Sequence, residues 1–507
     1  MAATVASALR WWAKTKGDTS ALVVGDDTIS YRQLHEWTSR VARRLTDEGV
    51  KPGDRVGLLA PNTVQWPVAA LAVMKCGATL VPLNSRLKPA EIRKIADDAE
   101  IGAVIAAPTH VDAADEARGG GRDFAVWTFD LVDEHRLGVP DDFAIEPDQE
   151  DPIAVIFTSG STGLSKGVVL TSRTLMGMVL ENTLAEEGFR PGTVTLLVLP
   201  LAFTPGLVYG LLITSVLGGT LIVEPDLDAG RAVRMIEKHS VRALFGVPLV
   251  FDALSRADEF AGADLSSLQT AIVGGAAVPV DLLRRWADKG VLLRQIYGMT
   301  EAGGVATATL AADALDHPDS CGSGSIFTEV DVMLADGSLA QPGEPGELVV
   351  RGPGVTPGYW NDPETTAAAI RDGWLHSGDL GVRDEQGRIT FLDRIKELII
   401  SGGINISPVE LESAIRPIEG VQEVAVIAAA DARFGETPAA IITLAAGSDL
   451  DEATVIRHCE SVLSDYKIPR YVVLRSEPLP RLPNGKLDKV AIREQYRDVS
   501  DRFTRVR

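Results

Sequence analysis

Only three cysteines, Cys76, Cys321 and Cys459, occur in 507 residues, far apart and odd in number. That excludes a disulfide framework and offers no metal-ligand spacing. Basic residues are also scarce: 49 lysines and arginines face 70 aspartates and glutamates, a net charge of −21. A chain this acidic lacks the basic face of a nucleic-acid binder. It also repels phosphates at long range, so a nucleotide site has to be assembled locally from backbone N–H groups, chosen cations and a metal. No apolar run approaches the ~18 residues of a membrane span, and the opening "MAATVASALRWWAKTKGD" lacks the basic-then-apolar pattern of a secretory signal. A soluble, cytoplasmic protein is expected. Repeats are missing, and so is any low-complexity tract longer than a loop; "EARGGGRD" (116–123) reads as a flexible surface excursion.

What is present is ordinary globular composition, 45% hydrophobic and 23% charged, in a chain too long for one core. Strand-like runs alternate with helical patterns: "RVGLLA" (55–60), the helical "VQWPVAALAVMKCG" (64–77), "TLVPL" (79–83), "AVIFTSG" (154–160), "TLLVLP" (195–200), "TLIVEP" (220–225), "ALFGVP" (243–248) and "TAIVGG" (270–275). Strands separated by helices predict layered α/β structure with largely parallel sheets. After about residue 325 the texture changes to alternating hairpins around the turn dipeptide Asp336-Gly337. A third region, with a helix at "SPVELESAIRPIEGV" and further strands, is long enough for a domain of its own. The boundary falls at 393–397.

Four stretches carry chemistry. "TSGSTGLSKG" (158–167) has glycines that let backbone N–H groups converge on an anion, hydroxyl donors, and Lys166 as a point charge. Its spacing is not that of the G-x-x-x-x-G-K-[ST] loop, because Ser165 stands five residues after Gly160. In "QIYGMTEAGG" (295–304), Tyr297 can cover a flat base, Thr300 can donate to a phosphate, and Glu301 can hold Mg²⁺ through oxygen. "GWLHSGDLG" (373–381) offers Asp379 to the two hydroxyls of a ribose. "PRLPNGKLDK" (480–489) presents Lys486 on a Pro/Gly-bounded loop. Each alone matches an ordinary turn or a solvated loop.

In this order and spacing the four are specific. The chain resembles the adenylate-forming superfamily of acyl-CoA synthetases, peptide-synthetase adenylation domains and luciferases, and most of all a stand-alone fatty-acid or aryl/alicyclic acyl-CoA ligase. The likeness runs from "ISYRQLHEWTSRVARRL" to "GKLDK" and includes "GYWNDPETT" (358–366), "DRIKELIISGGINISPVELE" (393–412) and "YKIP" (466–469). It implies a large N-terminal domain (1–393) of layered α/β sheets with a β-rich subdomain. A small, mobile α+β domain (394–507) follows, with the active site between the two. It implies ATP, Mg²⁺ and coenzyme A: a carboxylate attacks the α-phosphorus to give acyl-adenylate and pyrophosphate, and a thiol then expels AMP. Positioning and electrostatics dominate such steps.

By this resemblance Thr158, Ser159, Gly160, Ser161, Thr162, Gly163 and Lys166 hold the β- and γ-phosphates. The backbone of Gly275, Ala276 and Ala277 faces the adenine, with Tyr297 on its other side, and the turn at Gly298 and Met299 completes the nucleotide site. Thr300 contacts the α-phosphate, Glu301 the magnesium, and Asp379 and Arg394 the ribose. Lys486 reaches the carboxylate and α-phosphate only when the small domain closes about a hinge at Lys396. CoA lies across the small domain, with Tyr466 on its adenine, Arg470 at a phosphate, and the loop of Gly402 and Gly403 brought to the thiol.

Three positions depart from the commonest pattern: Ser165 replaces proline, and Ser172 and Phe203 replace histidines. Phe203 cannot hydrogen-bond a carboxylate but can pack on an acyl chain. The segments expected at the acyl pocket, with Phe203, Thr204, Val247, Gly274, Gly303 and Gly304, hold no acid for a substrate ammonium. Nor do they hold a base for a second carboxylate. An apolar acid is expected, fatty or bulky and cyclic or aromatic, with the glycine pair favouring width. Transfer to a carrier-protein phosphopantetheine, a catalytically silent nucleotide-binding homologue and, remotely, a light-emitting oxygenase are the rival readings. The partners implied are small molecules and at most a second copy of the chain.

Overall fold

Short apolar runs rich in Val, Ile and Leu pair side by side as strands. In the computed structural model, which describes residues 3–145, 147–159, 165–401, 404–431, 433–482 and 485–506, they build two largely parallel sheets. One is eight-stranded. Its parallel middle runs Leu293–Tyr297, Thr270–Gly274, Ala243–Gly246, Val194–Leu197, Thr220–Val223, Ser20–Val24, with antiparallel Thr307–Ala308 and Asp27–Ser30 at the two ends. The other is six-stranded: Ala125–Thr128, Ala103–Ala106, Arg55–Leu59, Thr79–Leu83 and Pro152–Ser159 are parallel, and Ser165–Thr171 returns antiparallel at the edge.

Between these sheets lies the helix Gln65–Lys75, buried from Trp66 to Lys75. A helix without a polar face can only sit between layers, and one core joins it to Leu58 and Leu80 of one sheet and Leu197 and Leu221 of the other. A second buried helical segment, Pro205–Ile213, is wound in wide i→i+5 turns, a geometry often found at functional sites.

The alternating region forms an antiparallel, five-stranded sheet of Glu329–Met333, Gly346–Arg351, Trp374–Arg383, Ile370–Arg371 and Ile389–Arg394. Asp336-Gly337 turns as expected, with the Gly337 N–H donating to the Leu334 carbonyl at 3.0 Å and Gly337 at φ +87°. A last five-stranded sheet takes Ile404–Ile406, Ile399–Ser401, Gly435–Leu444, Val421–Asp431 and, parallel to its neighbour, Tyr471–Arg475. Between Arg394 of the third sheet and Ile399 of the fourth is the single tight turn Ile395–Glu397. The fully buried Asp393 bridges this turn: its Oδ2 accepts from the Ser407 hydroxyl at 2.5 Å and the Val409 N–H at 3.1 Å. It thereby reinforces the cap of the helix Pro408–Ile415, whose Ser-Pro start is a standard initiation signal.

Residues 116–118 end the helix Val111–Arg118, with Ala117 buried, and the rest of the 116–123 excursion is exposed. Arg93 donates to the carbonyls of Glu116 and Ala117, and Asp97 accepts the Arg122 N–H at 2.7 Å. Among the described residues, no helix is long and apolar enough to cross a membrane.

Candidate active site

The strands ending at Ser159, Leu197, Gly246, Gly274 and Tyr297 release their chains into the segments singled out from sequence. The crevice beyond the carboxyl ends of parallel strands is where α/β sheets bind ligands.

One corner is built by cross-strand pairing. Asp379 and Arg394 lie opposite each other in register, which sets the Arg394 Nε 3.2 Å from Asp379 Oδ1. The Tyr297 hydroxyl donates to Asp379 Oδ2 at 2.8 Å, and its ring stacks on Phe391 at 6.1 Å. Asp379 is only 3% exposed. Burial pushes its pKa up, while Arg394 and the Tyr297 hydroxyl pull it back. Its Oδ1 makes no hydrogen bond among the described residues. A buried carboxylate oxygen with unmet acceptor capacity is costly, and a ribose hydroxyl would meet it. Burial and the Asp379 charge in turn raise the Tyr297 phenol, so it stays a donor.

Lys486 arrives at this corner from the last region of the chain. A methyl placed on Gly275 would lie 3.5 Å from its Cε and 3.7 Å from its Nζ, with Val247 Cγ1 also 3.7 Å away. Desolvation by the surrounding protein and the Arg394 charge lower the Lys486 pKa; Asp379 raises it. Ala276 and Ala277 follow Gly275 as exposed residues.

A second cluster gathers Lys166, expected at the phosphates, and the expected metal ligand. Glu301, on the short turn Thr300–Ala302, is buried, and its Oε1 accepts the Tyr359 hydroxyl at 2.9 Å. Lys166 Nζ stands 5.0 Å from the Tyr359 ring centroid, a cation–π distance. Burial and the Glu301 charge raise the Tyr359 phenol. Among the described residues no group of three or more His, Cys, Asp or Glu could hold a metal. A single carboxylate beside a phosphate loop still fits Mg²⁺, which keeps waters and takes one or two carboxylates plus substrate phosphates. Bound there, it would neutralise charge on the departing phosphates.

The two clusters meet the pocket segments through Thr300, whose Oγ1 is 2.8 Å from that of Thr204. Thr204 is buried and Phe203 half-buried at the head of the wide-wound helix. A methyl on Gly303 would lie 2.5 Å from Met178 Sδ, and one on Gly304 would lie 2.8 Å from Tyr209 Cε2. Gly274 has another reason to be glycine: Ile296 of the next strand packs on it, 2.3 Å from where a Cβ would stand. Ser172 is buried at the start of the helix Ser172–Ala185, its hydroxyl unpartnered among the described residues.

The CoA residues fall differently. Tyr466 is 45% exposed on the turn Asp465–Lys467. The Arg470 guanidinium, expected at a phosphate, instead lies 3.3 Å from Asp431 and 4.3 Å over the Phe434 ring. Lys396 is exposed in the turn Ile395–Glu397. Gly160, Ser161, Thr162, Gly163, Gly402 and Gly403 lie outside the described residues, and Thr158 and Ser159 end the strand that enters the loop. Sequence reasoning gave no role to Tyr359, Phe391, Met178 or Tyr209. Tyr359 alone had a visible signal, its place inside "GYWNDPETT".

Residues 9–360 match the AMP-binding enzyme family and residues 410–486 match the AMP-binding enzyme C-terminal domain. The chain therefore belongs to the AMP-binding enzymes. It is 35% identical to a feruloyl-CoA synthase of an Amycolatopsis species, over 96% of this chain and 97% of the relative. It is 34% identical to a long-chain-fatty-acid–CoA ligase of Mycobacterium tuberculosis, over 93% and 94%. ATP-bound MatB from Rhodopseudomonas palustris superposes with a TM-score of 0.87 at 30% identity, over 98% and 99%. Within the family this protein is an acid–thiol ligase of the acyl-CoA synthetase type, forming AMP.

Proposed function

We propose that this protein activates an apolar carboxylic acid as its acyl-adenylate, releasing pyrophosphate, and then transfers the acyl group to CoA. The observation that carries the reading is the corner of Asp379, Tyr297 and Arg394, together with Lys486, which the last region of the chain sets beside Gly275. There Asp379 takes the ribose, and Lys486 neutralises charge between the acid's carboxylate and the α-phosphate. Lys166 and the loop beginning at Thr158 hold the departing phosphates, and Glu301 holds Mg²⁺. Preorganised charge of this kind does most to lower the barrier when negative charge builds up on reacting oxygens.

The acid enters between Phe203, Thr204, Val247 and the Gly303-Gly304 pair. The ring of Tyr209 and the thioether of Met178 lie so close to those glycines that no side chain would fit there. That wall supports a compact cyclic or aromatic acid over an extended chain. Residues 1–393 and 394–507 form two domains that turn about Lys396. Tyr466 remains a stacking surface for the CoA adenine, whereas Arg470 would have to exchange Asp431 for a phosphate.

The test is a panel of aliphatic, aromatic and polycyclic carboxylic acids, scored by acid-dependent pyrophosphate release and by thioester formation with CoA. Cyclic and aromatic acids should lead the panel. Pyrophosphate release with no acid in the panel would sink the reading, and thioester formed only on a carrier protein would replace CoA as acceptor.

A further inference from the structure

We infer that Tyr359 is a positioning residue that ties the metal-binding carboxylate to the phosphate-loop lysine, so that the two act on one pyrophosphate group as a unit. The inference rests on the proposed function, because it concerns how that site holds MgATP.

Two independent sets of contacts support it. The first is made by the side chain. The phenol donates to Glu301 Oε1 at 2.9 Å, while its ring face lies 5.0 Å from Lys166 Nζ. One side chain therefore meets an anion with its hydroxyl and a cation with its π-face, and it does so between two elements that are distant in sequence.

The second set is made by the backbone. Residues 356–360 form a strap laced to both elements. The Trp360 N–H donates to the Gly167 carbonyl at 2.7 Å, and the Val169 N–H donates to the Gly358 carbonyl at 3.1 Å, so the strap pairs with the return strand of the phosphate loop. At its other end the Thr356 N–H donates to the Glu301 carbonyl at 2.8 Å. Tyr359 and Val168 are bridged in antiparallel pairing. The strap thus fixes the distance between loop and turn, and Tyr359 fixes the orientation of the two charged groups carried by them. A carboxylate with one oxygen held by a phenol presents a set direction to a cation; without that bond it rotates. Charge-assisted hydrogen bonds of this kind are the strong ones.

The experiment compares Tyr359→Phe, which keeps the ring and drops the hydroxyl, with Tyr359→Leu, which drops both. Calorimetry measures the Kd for MgATP, for ATP without metal and for AMP; electron paramagnetic resonance of Mn²⁺ measures metal binding to the ATP complex. In Tyr359→Phe, affinity for MgATP and for Mn²⁺ should fall about tenfold, the effect of losing one hydrogen bond to a charged group. AMP, which lacks the β- and γ-phosphates, should bind within about twofold of the original protein, since none of its expected contacts involves Tyr359. In Tyr359→Leu, metal-free ATP should weaken as well, because Lys166 loses its ring. Unchanged MgATP and Mn²⁺ binding in Tyr359→Phe would overturn the inference, as would a parallel loss of AMP affinity, which marks a purely structural residue. Failure of the unsubstituted protein to bind MgATP at all would instead remove the proposed function, and this inference with it.

Discussion

Glu301 meets its surroundings through Tyr359, and what it offers the site is a carboxylate fixed in direction. Glu301→Gln keeps the shape and removes the charge. Adenylation should slow by on the order of 10²-fold, as when one electrostatic contact to a reacting group is lost, with the deficit largest at limiting Mg²⁺. A magnesium titration of pyrophosphate release checks this, and an unchanged rate at limiting magnesium would take Glu301 out of the site. At this scale the legible residues were those whose chemistry is local to a motif: Lys166, Thr300, Glu301, Asp379, Lys486. Tyr359 acts through pairing with Val168 and a bond to Glu301, neither of which a linear reading contains. Arg470, expected at a phosphate, pairs with Asp431, which Arg505 also meets, a contact that a linear reading does not contain.

The central helix Gln65–Lys75 poses a question of its own, because an element chosen for lacking polarity ends in a lysine that is 1% exposed. Lys75 Nζ is 2.8 Å from Ser39 Oγ, 2.9 Å from the His35 carbonyl oxygen and 3.1 Å from His35 Nδ1. His35 Nε2 in turn is 3.0 Å from Asp142 Oδ1, which Arg10 also meets. Burial pushes the Lys75 amine down to about 7, and burial together with the Lys75 charge pushes His35 down to about 4. Free lysine titrates near ~10.4 and histidine near ~6.5. Between pH 7 and 10 the unfolded chain holds the extra Lys75 proton, so stability rises with pH across that window. Between pH 4 and 6.5 the same holds for His35. Thermal unfolding of the protein and of Lys75→Met from pH 6 to 9 isolates the lysine: the melting temperature of the original, relative to the variant, should climb above pH 7. A pH-independent difference would mean that Lys75 stays charged when buried. The helix itself was plain in the sequence, as were parallel strands such as Arg55–Leu59 and Thr270–Gly274, because each is a short, mostly apolar run of the right length. The wide winding of Pro205–Ile213 was not, since a stretch apolar on every side has no period to read.

For the whole molecule, what the sequence could not contain is the orientation of its last region against the rest. Spacing along the chain pointed to a turn between two domains, but only the packed structure sets Lys486 beside Gly275. In the proposed mechanism that orientation serves the first half-reaction. It is held in part by Asp393, which grips Ser407 and the helix beyond it across the turn containing Lys396. A rotation there that brings the 401–406 loop toward CoA would release those bonds and carry Lys486 away. The most direct measurement is each half-reaction assayed separately in Lys486→Ala: acid- and ATP-dependent pyrophosphate release, and thioester formation from preformed acyl-adenylate and CoA. Pyrophosphate release should be abolished while thioester formation stays largely intact. Equal loss of both steps would make Lys486 a structural residue and contradict the alternation of domains.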